Sequence, residues 1–234
     1  MLHVPLHEED VVSLVGRAHA RRRFPELQFA DPEAEAVLSR VEVDPHQFAA
    51  ARLRAAAVQT IAIDHIVRAF FRRHPDGLGV ALYPGLCTRF SRVDNGTLRW
   101  VDLDRPGVAE VKHRLYSTPD RHVVATCRSL TCRCWMAPLR LSGGMPVLIV
   151  SQGALRRCPA AELELFLLRS SEELPTGTEL VLDHDANRPL LPSSRAGGAC
   201  LSVRGPDGSI ARYPRFRFAA DPAPTSSVAH LRVA

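Results

Sequence analysis

From Leu78 onward the chain repeats one unit, and that repetition limits the folds open to it. Short apolar runs at Leu78–Leu82, Leu98–Leu103, His122–Thr126, Pro146–Val150 and Thr178–Leu182 have the length of buried strands rather than helices. Helix-patterned segments separate them, most clearly Pro159–Glu173, where Leu163, Phe166 and Leu167 recur on one face. Strands joined through helices predict right-handed crossovers and a mostly parallel sheet covered on both faces. The fold class is therefore α/β, doubly wound and Rossmann-type. Ligands of such sheets bind outside the carboxyl ends of the strands, near the switch point in strand order. That rule directs attention to Tyr83–Arg89, Asp102–Asp104, Arg128–Trp135, Ser151–Arg157 and Asp183–His184.

The first 75 residues read as a helical extension. Helical spacing covers 8–23, 32–40 and the long segment Phe48–Arg73, which stops at His74-Pro75-Asp76-Gly77. Asp31-Pro32-Glu33 reads as an N-cap followed by proline at the first helical position. Residues 188–234 are rich in Pro, Gly and Ser, with strand-like pieces at Cys200–Val203 and Arg215–Phe218, and read as a cap or an antiparallel edge. Together these parts make one domain over 1–234, with 76–187 as the α/β core.

The net charge of +5 is spread over the chain, and Lys112 is the sole lysine among many arginines. The densest basic run, Arg21-Arg22-Arg23, has no interleaved aromatic residues, so no nucleic-acid partner is expected. No apolar segment approaches the ~20 residues that span a bilayer, and Met1-Leu2-His3-Val4-Pro5 lacks the features of a signal peptide. A cytoplasmic protein without membrane partners is expected, with its six cysteines reduced. The group Cys127, Cys132 and Cys134 invites a metal reading. It lacks the paired spacing of zinc ribbons, which favours buried thiols and no metal.

An ordered series of residues then narrows the class: Thr88-Arg89-Phe90, Arg92-Val93-Asp94-Asn95-Gly96 and Arg99-Trp100-Val101-Asp102-Leu103-Asp104-Arg105-Pro106. Arg17-Ala18, Asp31-Pro32, Thr60 to Asp64, His74-Pro75-Asp76-Gly77, Trp135-Met136, and Gly153 with Leu155 support it. Over roughly 10–185 the sequence resembles the leucine carboxyl methyltransferases and, more closely, the tetracenomycin-type polyketide O-methyltransferases. The resemblance implies a class I fold that binds S-adenosylmethionine (SAM), with Gly85 against the cofactor and Asp102 on its ribose.

Several positions depart from the family pattern. The first turn of the family reads Leu-Gly-Cys/Ala-Gly-Leu-Asp-Thr-Arg, whereas this chain has Leu82-Tyr83-Pro84-Gly85-Leu86-Cys87-Thr88-Arg89. Tyr83 brings a ring of some 150 Å² or more where the family has glycine, and Pro84 removes a backbone donor. Gln59-Thr60 stands for an Arg-Ser/Thr pair, Cys132 for the aspartate that accepts from adenine, and Gln152-Gly153-Ala154-Leu155-Arg156-Arg157 for Glu-Gly-x-Leu-x-Tyr. Losing two charge-assisted contacts costs ~3–6 kcal/mol, or two to four decades in affinity.

The altered loops add cationic groups. Arg89, Arg156 and Arg157 suit an oxyanion, and Asp64, Asp102, Asp104 or Asp183 suits proton acceptance from a nucleophile. The expected function is a methyltransferase-like tailoring enzyme of bacterial natural-product biosynthesis that needs no SAM. It would promote intramolecular substitution or cyclisation with loss of an anion, for example to an aziridine, since this fold class is known to have been turned to ring closure. Candidate catalytic residues are Tyr83, Arg89, Asp102, Asp104 and Arg157, with Asp64, Gln152, Arg156 and His184 for substrate. The alternatives are a SAM-dependent O-methyltransferase acting on a polyketide-type or carboxylate substrate and a non-catalytic partner subunit. A small-molecule biosynthetic intermediate is the expected partner, alongside a protein partner or a second copy of the chain. Each candidate also has a plainer reading: Tyr83 as a plug, Arg156 and Arg157 as solvated surface, His184 as a structural histidine, Asp102 and Asp104 as caps of the next helix.

Overall fold

In the computed structural model, residues 7–140, 142–184, 190–193, 200–204, 209–219 and 227–234 are described. Helices α1 (Glu8–Arg23), α2 (Pro32–Leu38) and α3 (Ala50–Arg73) precede the first strand. Asp31 caps α2 as expected, its carboxylate accepting from the Ala34 N–H at 3.0 Å. The alternating part follows as β1 (Leu78–Leu82), α4 (Arg89–Val93), β2 (Arg99–Asp104), α5 (Pro106–Leu115), β3 (His122–Thr126), α6 (Ala137–Arg140), β4 (Val147–Ser151), α7 (Ala154–Arg157), α8 (Ala160–Glu173) and β5 (Glu179–Asp183). All five expected strands form within one residue of their expected bounds.

These five strands pair in parallel in the order β3-β2-β1-β4-β5, with the switch between β1 and β4. The chain does not end as a separate cap. Strands β6 (Leu190–Ser193), β7 (Cys200–Arg204), β8 (Ile210–Phe218) and β9 (Val228–Val233) continue the same sheet antiparallel, with β9 against β5. The parallel character therefore belongs to the first five strands, and the last four supply the antiparallel edge.

Alternation along β1 fixes the two faces. Val80 and Leu82 join the core built with Phe166 and Leu167 of α8, while Ala81 joins Ile63, Val67 and Phe70 of α3. Gly79 lies on the α3 side because Trp100 of β2 fills the space beside it. A Cβ at Gly79 would stand 2.2 Å from Trp100 Cε3. Gly79→Ala is expected to cost about 1–3 kcal/mol by overpacking, read as a drop of about 2–12 °C in the melting midpoint. An unchanged midpoint would mean that Trp100 moves aside freely.

At the β5–β9 junction, buried Glu179 receives hydrogen bonds from Arg73 of α3 and from His230 and Arg232 of β9. Burial raises its pKa, but these three partners prevail and hold it at about 2. That clamp ties the end of the long helix to the antiparallel half of the sheet. No helix among the described residues is long and apolar enough to cross a membrane.

Candidate functional site

At the switch point, a cavity of about 280 Å³ opens beside the carboxyl ends of β1 and β4. Its walls come from three directions: Glu9, Asp10 and Ser13 of α1, Arg52 and Gln59 of α3, and the loops after β1 and β4. Of the sequence candidates, Arg89, Gln152, Arg156 and Arg157 line it. A smaller cavity of about 170 Å³ adjoins it at the β1–β2 corner, lined by Tyr83, Asp104, Arg105 and Arg157 among others. Asp10 and Arg157 line both cavities and bond each other at 3.0 Å. Sequence reasoning missed Asp10. Its only signal is a place in the acidic first turn of α1, which reads equally well as helix-dipole complementarity.

The residues that carried the family resemblance prove to be a buried ionic brace behind the cavity. Asp64 of α3 is fully buried and receives Arg89 Nε at 2.7 Å and Arg92 Nε at 2.6 Å. Asp31 receives Arg17 Nε at 3.2 Å and Thr88 Oγ1 at 2.6 Å, and also pairs with Arg92. Arg17 further donates to the Leu86 carbonyl at 2.7 Å, so α1, α2 and α3 all grip the turn after β1. Burial works against the ionised Asp64, but the Arg89 and Arg92 charges hold its pKa below the usual carboxylate value. Asp64, expected to meet substrate, is instead found buried between Arg89 and Arg92 and lines neither cavity. Arg89, 2% exposed, is pinned on its other side to Gln152 at 2.6 Å, which leaves it little freedom to act as a mobile anion clamp.

Asp102 also differs from expectation. It lies inside β2, 2% exposed, with Trp100 Nε1 on Oδ1 at 2.8 Å and Lys112 Nζ and His122 Nε2 on Oδ2 at 2.6 and 3.0 Å. Asp102 lines neither of these two cavities, and both of its oxygens are bonded within the fold, unlike the cofactor- and substrate-facing carboxylate expected of it. The carboxylate at the end of β2 is Asp104, which accepts from Lys112 at 3.1 Å and from the Gly85 N–H at 3.3 Å. Neither aspartate caps α5, whose N-cap is Arg105 without a side-chain bond. Burial, reinforced by the neighbouring Asp102 charge, raises Asp104 to about 6 despite Lys112.

The turn itself is tight. Gly85 has φ +58°, and a Cβ there would stand 2.9 Å from Asp10 Cγ, so glycine is required by both backbone and space. Tyr83 has φ +46°, a left-handed conformation that costs a side chain about 1–3 kcal/mol. Its ring is buried in the core on the α8 side, with Arg105 stacked over it at 5.2 Å and its hydroxyl 3.9 Å from Cys127 Sγ. Burial raises its phenol pKa well above the ordinary value. Cys87, which lines the larger cavity, has the opposite tendency: burial opposes ionisation, but Arg89, Arg17 and Arg92 lower its thiol pKa.

After β4, Gly153 takes φ +82° and donates its N–H to Asp183 Oδ2 at 2.7 Å, while Arg156 pairs with the same oxygen at 2.9 Å. Burial raises Asp183 to about 6, and its Oδ1 is buried without a hydrogen-bond partner among the described residues. Asp183 lies beneath the cavity wall. His184 lines neither cavity; its backbone N–H bonds the Ser227 carbonyl at 2.9 Å. The cysteine expectation is corrected as well. Cys132 and Cys134 form a disulfide, because the one-residue spacing on a tight turn sets their Cα atoms 5.4 Å apart, within bridging range.

The chain is 30% identical over 175 residues to the tetracenomycin polyketide synthesis O-methyltransferase TcmP of Streptomyces glaucescens. The chain is similar to the tetracenomycin-type O-methyltransferases. The match covers 74% of this chain and 63% of TcmP, so the chain spans less than two thirds of that relative. No family model matches the chain. Among solved structures, a putative methyltransferase from Thermobifida fusca aligns at TM-score 0.48 and 15% identity, covering 78% of this chain and 68% of its own. The mitomycin 7-O-methyltransferase MmcR aligns at 0.43 and 14%, covering 99% and 69%.

Proposed function

We propose that this methyltransferase relative acts in natural-product tailoring without SAM, promoting intramolecular substitution on a small polar substrate in the larger cavity. One observation carries the reading: in the turn after β1, where the family holds its cofactor, the backbone donors are committed to the protein's own residues or missing. The Gly85 N–H is committed to Asp104, Asp104 is committed to Lys112, and Pro84 has no N–H to offer. What remains is two adjoining cavities of about 280 and 170 Å³, at the low end of the usual ~300–1,000 Å³ of a pocket for one drug-sized ligand, whereas methyl transfer requires cofactor and acceptor together. The turn as built offers SAM neither a free Gly85 N–H nor a backbone donor at Pro84.

The chemistry that suits this cavity is displacement within one molecule. A heteroatom lone pair forms a bond to carbon, the bond from that carbon to a leaving oxygen breaks, and the electron pair departs with the anion. Arg52, Arg156 and Arg157, with side chains 40%, 31% and 20% exposed, are the cations able to meet that anion. Each has a carboxylate partner, yet a guanidinium carries five donors and retains some for a second oxyanion. Asp10, between the two cavities, is placed to take the proton released by the nucleophile. Holding the nucleophile and leaving group in line supplies several kcal/mol through effective molarity alone.

The similarity to TcmP favours a second reading, SAM-dependent O-methylation. Calorimetric titration with SAM separates the two. No saturable heat in the micromolar range is expected, and low-micromolar binding would overturn the SAM-independent reading.

A further inference from the structure

Behind Tyr83, the fold brings together the three sulfurs whose spacing alone argued against a metal site. Cys127 follows β3 and is buried, whereas Cys132 and Cys134 sit on the exposed turn that leads to Trp135. Their Sγ atoms all lie within 4.8 Å of one another, and Cys127 Sγ is 2.9 Å from Cys134 Sγ. All three also converge on one acceptor, the Ser129 carbonyl, at 3.3, 3.0 and 3.7 Å from Cys127, Cys132 and Cys134. In the reduced chain that oxygen, with two lone pairs, could not serve three thiols well. The disulfide between Cys132 and Cys134 pairs two sulfurs and leaves the Cys127 thiol crowded against them.

A metal ion resolves that crowding. At metal–sulfur distances near 2.3 Å, tetrahedral thiolates stand about 3.8 Å apart, so sulfurs already within 4.8 Å need shifts of only about an ångström. A carbonyl oxygen at the fourth vertex of such a site lies about 3.6 Å from each sulfur, close to the spread found around Ser129. The peptide that carries these ligands is itself held in place: Glu162 accepts from Ser129 Oγ and from the Leu130 N–H, and Arg169 donates to the Thr131 carbonyl.

We propose that Cys127, Cys132 and Cys134 form a binding site for one thiophilic divalent cation of the zinc class, capped by the Ser129 carbonyl. The site exists in the reduced chain. A dithiol reductant first gives two electrons and two protons to the Cys132–Cys134 disulfide and is itself oxidised to a disulfide. The three thiols then release their protons as the cation binds. Closed coordination makes this a structural site. It would pin the loop after β3 and, through Cys127, the hydroxyl of Tyr83.

The test uses the full chain, reduced with a phosphine and freed of metal, titrated anaerobically with cadmium as a spectroscopic stand-in for zinc. A sulfur-to-metal charge-transfer band saturating at one ion per chain is expected. Cys132→Ser, exposed and therefore unable to unfold the core, and Cys127→Ser should each weaken binding by more than about 100-fold, beyond what outer-shell partners cost. Cys158→Ser and Cys200→Ser should bind as the parent does. No stoichiometric band, or a band that survives Cys127→Ser, would overturn the site. So would recovery of a Cys127–Cys134 disulfide on air oxidation in a chain that takes up no cadmium, which would assign the cluster to thiol–disulfide exchange instead.

Discussion

Asp64→Ala is expected to lower stability by about 3–5 kcal/mol at pH 7, because it strands two buried arginines at once. Arg89 and Arg92 lie 3% and 6% exposed and both bond the Asp64 carboxylate. Their remaining partners, Gln152 for Arg89 and Asp31 for Arg92, are already shared within the same brace. In a chain of this length the loss corresponds to about 6–20 °C in the melting midpoint. The pH dependence has a defined sign. The folded pKa of Asp64 is below its ordinary value, so its contribution is present above the usual carboxylate range and is lost as pH falls through the folded value. The gap between parent and variant should therefore narrow on acidification. Replacing Asp64 and Arg89 together by Leu and Met should cost less than Asp64→Ala alone, since a buried pair exchanged for apolar side chains is often near neutral. Equal losses in the two variants would mean that the brace is packing rather than charge.

That brace also shows where sequence reasoning reached and where it stopped. The strands and long helices were legible because each carries its period: five buried runs of strand length, and α3 with Ile63, Val67 and Phe70 on one face. Asp31 was legible as a cap because proline follows it. The antiparallel half was only partly so. The pieces at Cys200–Val203 and Arg215–Phe218 were visible, but β9 was not, although Val228–Val233 pairs with β5 along its length. Its His230 and Arg232 are drawn to Glu179, and that masks the alternation of a half-buried strand.

The site was less legible for a different reason. Asp64, Asp102, Asp104 and Asp183 look alike in sequence, each near an element end. Only the fold shows that Asp64 and Asp102 point into protein, that Asp104 holds a backbone turn and that Asp183 sits beneath Gly153 and Arg156. The family-like positions Arg17, Asp31, Asp64, Arg89 and Arg92 were legible as a pattern but not as a network, because pairing across 14 to 61 residues leaves no local mark. Asp10 left only its place in the acidic first turn of α1, a signal that helix-dipole complementarity explains equally well.

Lys112 offers the second large effect. It is 1% exposed, and its ammonium bridges Asp102 at 2.6 Å and Asp104 at 3.1 Å. Lys112→Met leaves two carboxylates facing each other in the core and should cost about 3–5 kcal/mol at neutral pH. The three groups titrate with opposite signs. Lys112 has a raised folded pKa, so its contribution is complete below the ordinary lysine value and is lost as pH rises through the folded one. Asp102, despite burial, is held below its ordinary value by Lys112 and His122, so its contribution is lost as pH falls. Asp104 runs the other way: with a folded pKa of about 6, it withdraws stability as pH rises from the ordinary carboxylate value through that point. Losing Lys112 removes the charge that lowers Asp104, so the deficit of Lys112→Met should shrink between pH 7 and pH 4 as Asp104 takes up its proton. Adding Asp104→Asn to Lys112→Met should recover part of the loss at pH 7 and little at pH 4, because only the ionised carboxylate repels. Urea unfolding of the two variants at both pH values checks this. A deficit independent of pH would assign Lys112 to packing and would remove Asp104 from the charge balance that closes the Gly85 turn.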